Sequence, residues 1–254
     1  MTGPVEQARV DELLDGFSAL VQSDGLVSAA TDFLAEADDL ARSVHDTGVI
    51  PMPPDPFKGR TTEPTQDPEL FYTMFWRMFD KTPASMIQPF AIPVRRILAQ
   101  KIFRSCGEGV IFHHNVLFSK GSNISIGDHS LINRYVMLDD RADITIGAFV
   151  MVAAGATIET HTHPFDDFSL PIAYGGRSGL PVTVGDNSVL GYNTVLMAGV
   201  NVGYRCIIGA NSVVTKDVPD YTVAGGVPAK PIKQFLPPDT GTIWQPSHGK
   251  PEGV

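Results

Sequence analysis

The chain has 254 residues, 43% of them hydrophobic, and a formal net charge of −9 from 28 acidic and 19 basic side chains. That balance argues against a general nucleic-acid or anionic-membrane binder while leaving room for a local basic patch. Two cysteines, Cys106 and Cys206, give no disulfide framework, and no apolar run reaches the ~18 residues of a membrane span.

In chain order, residues 1–105 read as a helical N-terminal region. Leu13, Leu14, Phe17, Leu20 and Val21 form one helical stripe, and Leu26, Ala30, Phe33, Leu34, Ala37 and Leu40 a second after Ser23-Asp24-Gly25. The opening MTGPVEQARVDELLDG lacks the basic and apolar regions of a signal peptide, so a reducing cytoplasm is the expected location. Residues 49–69 are a proline-rich connector with no regular structure expected. A helix is predicted over about 69–81, and another over about 94–104, starting after Pro93. The first of these, with Phe71, Phe75 and Trp76, suits a cap on the C-terminal half of the chain, a contact with a neighbouring subunit, or a lid over an apolar substrate.

Residues 106–235 carry a different rhythm. From Val184 to Pro219 the chain reads VGDNSV, LGYNTV, LMAGVN, VGYRCI, IGANSV, VTKDVP, and each hexad opens on a branched aliphatic. Neither a helix nor a lone strand has a period of six. A coil of short parallel strands with a corner every sixth residue does, which is a parallel β-helix. Earlier hexads lead with Ile126, Ile132, Leu138, Ile146, Val152 and Ile158, with two extra residues near Ala142–Ile144. The rhythm breaks once, over 159–183, and a lone excursion from a solenoid marks the functional face. Residues 236–254 read as a tail.

The pieces FSKGSNISIG (118–127), THPFD (162–166), the VGDN and LGYNT hexads, IGANSVVTKDVP (208–219) and GGVPAKPI (225–232) resemble the hexapeptide-repeat acyltransferases. Within that family they are most similar to the maltose and galactoside O-acetyltransferase branch. The resemblance implies a left-handed parallel β-helix, a homotrimer with active sites between subunits, and transfer of acetyl from acetyl-CoA to a hydroxyl of a sugar or sugar-containing acceptor.

Residue by residue, the resemblance places the catalytic histidine at His163. A hydroxyl is a poor nucleophile until a base takes its proton, and imidazole suits that task. His161 and Glu159 are both near enough in sequence to orient it. The resemblance puts Ala153, Tyr192, Ala210, Thr215, Lys216, Lys230 and Lys233 along the acetyl-CoA groove, with tyrosine at 192 where the branch has a small residue. It puts Ser119, Asn133 and Asp140 on the acceptor side, and it implies no metal.

Other readings stay open at this point. They are N-acetylation of an amino sugar or amine, transfer of a longer acyl chain, a zinc enzyme of the carbonic-anhydrase kind on the same coil, and a non-catalytic scaffold. The first 100 residues match nothing in the branch, so the resemblance does not carry the acceptor's identity.

Overall fold

The structure, a computed structural model, describes residues 68–235 except 170, together with residues 8, 11, 12, 14 and 15. Those five residues are helical; the second early stripe, most of the connector and the tail lie outside the described residues. The chain divides into two compact units, 1–76 and 77–254.

The described part opens with the helix Pro68–Phe79, in which Tyr72, Trp76 and Phe79 are buried. Its first residue belongs to the stretch expected to be irregular. Proline is well placed there, because the first helical N–H has no intrahelical partner to lose. The next helix, Gln88–Ile102, begins six residues earlier than expected and runs through Pro93. Burial explains the difference. Ala91, Val94, Leu98, Ala99 and Ile102 form a buried stripe, worth about 1.5–3 kcal/mol for each larger aliphatic, against one missing helical hydrogen bond at Pro93.

From Ser105 the chain winds into a parallel β-helix of about six turns. Three parallel sheets make its faces. The first holds Ser105–Cys106, Ile124–Ile126, Ile144–Ile146, Val182–Val184 and Asn201–Val202. The second runs from Ile111–Phe112 through Leu131–Ile132, Met151–Val152, Val189–Leu190 and Ile207–Ile208 to Thr222–Gly226, where Ala229–Gln234 adds an antiparallel edge. The third holds Leu117–Phe118, Met137–Asp139, Thr157–Glu159, Val195–Leu196 and Val213–Val214.

The hexad rhythm follows from this winding. The hexad leaders Val184, Leu190, Leu196, Val202, Ile208 and Val214 all point into the coil and are buried. The fifth residues, Ser188, Thr194, Val200, Cys206, Ser212 and Val218, are buried as well, and the Ser188 hydroxyl shows how a polar one ties successive turns together. Ser188 Oγ donates to Gly203 O at 2.9 Å and accepts from Cys206 N at 2.8 Å. Glycine in second place answers to stacking: a Cβ at Gly185 would stand 2.6 Å from the carbonyl carbon of Gly203 in the next turn. The corners need a left-handed residue, supplied by Asn187, Asn193 and Asn211 at φ 60°, 55° and 58°, a conformation asparagine tolerates better than most residues.

The outward positions differ by face. In register along the first face stand Ser105, Ser125, Thr145, Thr183 and Asn201, all polar. Along the second stand Ile111, Leu131, Met151, Val189, Ile207 and Val223, all apolar. Along the third stand Leu117, Met137, Thr157, Val195 and Val213.

The first turn has no turn before it, and side chains from the preceding segment satisfy its open backbone groups. Arg77 Nη2 donates to Phe118 O and Arg96 Nε to Val110 O, each at 2.9 Å, while Asp80 Oδ2 accepts from Asn115 N at 2.8 Å. These contacts favour the cap among the three readings of the segment. Both cysteines are free thiols. Burial pushes the Cys106 thiol up to about 11, and raises that of Cys206 as well. At pH 8 neither is a thiolate, so a disulfide reagent such as DTNB is expected to label native protein slowly and to label both thiols once denaturant is added. Fast labelling of the native protein would contradict this burial.

Candidate active site

The break in the rhythm is a two-stranded ribbon standing off the corner between the third and first faces. Thr160, fully buried, anchors its base: Oγ1 donates to Asp139 O at 2.5 Å and accepts from Ala142 N at 2.8 Å. His161–Thr162 then pairs antiparallel with Ser178–Gly179, and Leu180 N returns to Thr160 O at 2.8 Å. Between these strands the ribbon exposes Phe165, Phe168, Ile172 and Tyr174.

His163 lies just beyond the paired strand and is half-buried. Its Nδ1 is buried and has no hydrogen-bond partner among the described residues. A nitrogen so enclosed cannot meet a reactant, so any proton transfer by this ring would use Nε2. His161 lies on the same ribbon, its ring 5.5 Å from that of His163 and inclined at 76°, edge to face. His161 Nδ1 is hydrogen-bonded to Asp139 Oδ2. An ionised carboxylate only accepts, so Nδ1 carries the proton. Asp139 Oδ1 also faces Arg141 Nε at 3.4 Å. Asp139 is a residue the sequence reasoning missed. The signal for it is the pair Asp139-Asp140 at the end of a third-face strand, one turn before the excursion.

The other predicted residues fall on two corners that edge the third face. Ser119 and Thr215 follow third-face strands, in places equivalent to those of Asp139 and Glu159, which end theirs. Asn133 and Ala153 follow second-face strands, Tyr192 and Ala210 come one residue further on, and Asn211 N bonds Tyr192 O at 2.7 Å. Lys216 extends the first of these corners. Lys230 and Lys233 lie on the antiparallel edge strand, with Lys233 Nζ 4.6 Å over the Phe235 ring. Thr215, Lys216, Lys230 and Lys233 are all exposed. Within one protomer these predicted residues therefore spread over both edges of the third face and the edge strand of the second.

Asp140 stands apart from the expectation of an acceptor contact. Its side chain is fully buried, and its carboxylate accepts from the backbone N–H groups of Ser119 and Gly121, each at 2.6 Å, and of Lys120 at 3.2 Å. The longer corner in this turn leaves those N–H groups without strand partners, and Asp140 takes them all. It shapes the Ser119 turn from beneath and has no surface left for an acceptor. Asn133 Oδ1 accepts from Arg134 N at 2.8 Å, which leaves its amide N–H groups for other partners. Among the described residues no group of three or more His, Cys, Asp or Glu is placed to hold a metal.

A family profile described as "Hexapeptide repeat of succinyl-transferase" matches residues 175–216. The galactoside O-acetyltransferase of Escherichia coli K12 is 34% identical over 147 residues, which is 58% of this chain and 71% of that protein. This chain belongs to the hexapeptide-repeat acetyltransferases. Among solved structures, a maltose O-acetyltransferase from Clostridium difficile 630 superposes with a TM-score of 0.59 at 31% identity, covering 66% of this chain and 87% of that one. A galactoside acetyltransferase in complex with coenzyme A gives 0.56 at 30% identity, covering 65% and 80%. The coil of this acetyltransferase is accordingly a left-handed parallel β-helix. The usual right-handed rule for parallel crossovers, which rests on helical connections, does not govern these tight corners.

Proposed function

We propose that this acetyltransferase moves an acetyl group from acetyl-CoA to a hydroxyl of a sugar or sugar-containing acceptor, with His163 as the general base. The observation that carries the reading is the placement of His163: a half-buried imidazole just beyond the paired strand of the one ribbon that stands off the coil, with its Nδ1 enclosed by its own chain. As the acceptor oxygen attacks the thioester carbonyl, its proton passes to Nε2 and a C–O bond forms. The oxyanion so created suits a backbone N–H at a coil corner. Its collapse breaks the C–S bond, and the proton on Nε2 goes to the departing thiolate. An acetyl ester and free CoA result, and no acyl-enzyme is needed.

For the donor, the exposed Lys216, Lys230 and Lys233, with Thr215, fit the phosphates of CoA. Ala153, Tyr192 and Ala210 would line its arm along the neighbouring corner. On the acceptor side this leaves Ser119 and Asn133. A cytoplasmic location accords with acetyl-CoA as donor, and no helix among the described residues is long and apolar enough to cross a membrane. The test is thiol release from acetyl-CoA with a panel of sugars, glycosides and amino sugars. Acceptor-dependent release supports the reading, and the best acceptor separates O- from N-acetylation. Absence of release with every acceptor, together with no CoA binding by calorimetry, would favour a scaffold.

A homotrimer is part of the same reading. The second face presents an apolar ladder and the third one broken only by Thr157, while the first is polar, and large apolar surfaces of this kind mark interfaces. Two unlike faces meeting head to tail give a heterologous contact, which makes a ring where its rotation closes and never a two-fold pair. Such a ring would also bring one protomer's ribbon to the next protomer's third face, and so complete a site that a single chain leaves divided. Met151→Glu with Ile207→Glu is expected to convert trimer to monomer by light scattering and abolish activity, whereas Thr145→Glu on the polar face leaves the trimer intact. A monomeric wild type would end this part of the proposal.

A further inference from the structure

Orienting a catalytic imidazole ordinarily falls to a carboxylate or carbonyl bonded to its Nδ1. His163 has no such partner among the described residues. The carboxylate is instead one residue removed. Asp139 holds His161, and His161 meets His163 edge to face. We infer that the Asp139–His161 pair is the orienting device of this active site, acting on His163 through ring packing and not through a hydrogen bond. The inference rests on His163 being the base.

Three features of the fold support it. First, alternate residues of an extended segment project to one side, so the His161–Thr162 strand sets the two imidazoles side by side, and pairing with Ser178–Gly179 fixes the strand. Second, His161 is held from a different turn of the coil. Asp139 stands at the end of the third-face strand Met137–Asp139, its backbone carbonyl accepts from Thr160 Oγ1, and Arg141 faces its other oxygen. The ring of His161 is thus tied to the rigid solenoid and not to the ribbon alone. Third, both members are largely buried, with 22% of the His161 side chain and 16% of the Asp139 side chain exposed, so water competes little for the bond. Glu159, the other carboxylate close in sequence, lies opposite Asp139 in the next turn and is not the partner of His161.

Misplacing a reacting group by about 1 Å can lower a rate by about 10²-fold. His161→Ala is therefore expected to lower kcat by about 10-fold or more while leaving the KM for acetyl-CoA unchanged. His161→Asn keeps a donor for Asp139 but offers no ring, and kcat should stay as low as in His161→Ala. A merely structural role for the pair would be restored by asparagine, so wild-type kcat in His161→Asn overturns the inference. In a double-mutant cycle, His161→Ala added to His163→Ala should cost nothing more, because there is no longer a ring to position. An equal further loss in that background also overturns it. Should His163→Ala itself keep wild-type activity, the base assignment falls and the inference with it. A dead His163→Ala beside a fully active His161→Ala removes the positioning role alone.

Discussion

Replacing His163 with alanine is expected to lower acceptor-dependent thiol release by about 10²-fold to 10⁴-fold, the usual weight of a positioned general base. That range corresponds to about 3–5 kcal/mol of transition-state stabilisation. The loss should appear in kcat, with the KM for acetyl-CoA little changed. The proposed donor contacts, Thr215, Lys216, Lys230 and Lys233, lie elsewhere in the sequence on exposed positions, and the proposed base acts on the acceptor's proton. Thermal stability should be unchanged, because His163 stands on the ribbon and outside the ladder of buried aliphatics that makes the core. Release that survives the substitution would remove His163 from the mechanism. A variant with a much lower melting temperature would point to a structural role.

Removing Asp80 should be the most destabilising single change in the cap. Asp80 and Arg95 form a buried pair with side-chain exposures of 5% and 2%, joined by Arg95 Nε and Nη2 at 3.0 and 2.5 Å to one carboxylate oxygen. The other oxygen accepts Asn115 N from the first turn of the coil, and Arg95 Nη2 also reaches Ser85 O. Asp80→Ala leaves a guanidinium buried without its counter-charge and a backbone N–H without an acceptor. Breaking a buried pair in this way costs about 3–5 kcal/mol, which for a unit of this size lowers the melting temperature by about 10 °C. The double replacement Asp80→Leu with Arg95→Met should recover much of the loss, since a buried pair is often no better than well-packed apolar side chains. If Asp80→Ala melts with the wild type, the cap is not what closes the open end of the coil. Activity in this variant, measured below its melting range, should stay near wild type, because the cap sits at the first turn, away from the ribbon.

The coil was the most legible part of this protein because its period is a local signal repeated many times. Each of Val184, Leu190, Leu196, Val202, Ile208 and Val214 meets the same neighbours one turn away, so a period of six in the chain becomes a stack of buried aliphatics. The left-handed asparagines and the buried Ser188 and Thr194 belong to the same repeat, yet their purpose appears only once turns are stacked. The helices were less legible. Pro68 and Pro93 read as boundaries in isolation, but one opens a helix and the other lies within one, because burial across a stripe outweighs a single missing hydrogen bond.

The sequence by itself determined the six-residue winding of the coil and the place of its one long excursion, because spacing between neighbours in the chain encodes both. The choice of His163 over His161 rests on the resemblance of THPFD to the family's motif. Tertiary structure alone decided what the carboxylates do. Asp139 and Asp140 are adjacent in sequence and chemically identical. Their side chains alternate across the strand's end, so one turns out to meet His161 and the other turns in to hold the N–H groups of Ser119, Lys120 and Gly121. No local pattern separates those two roles, because both partners lie about twenty residues away along the chain and reach the carboxylates only when one turn is laid on the next.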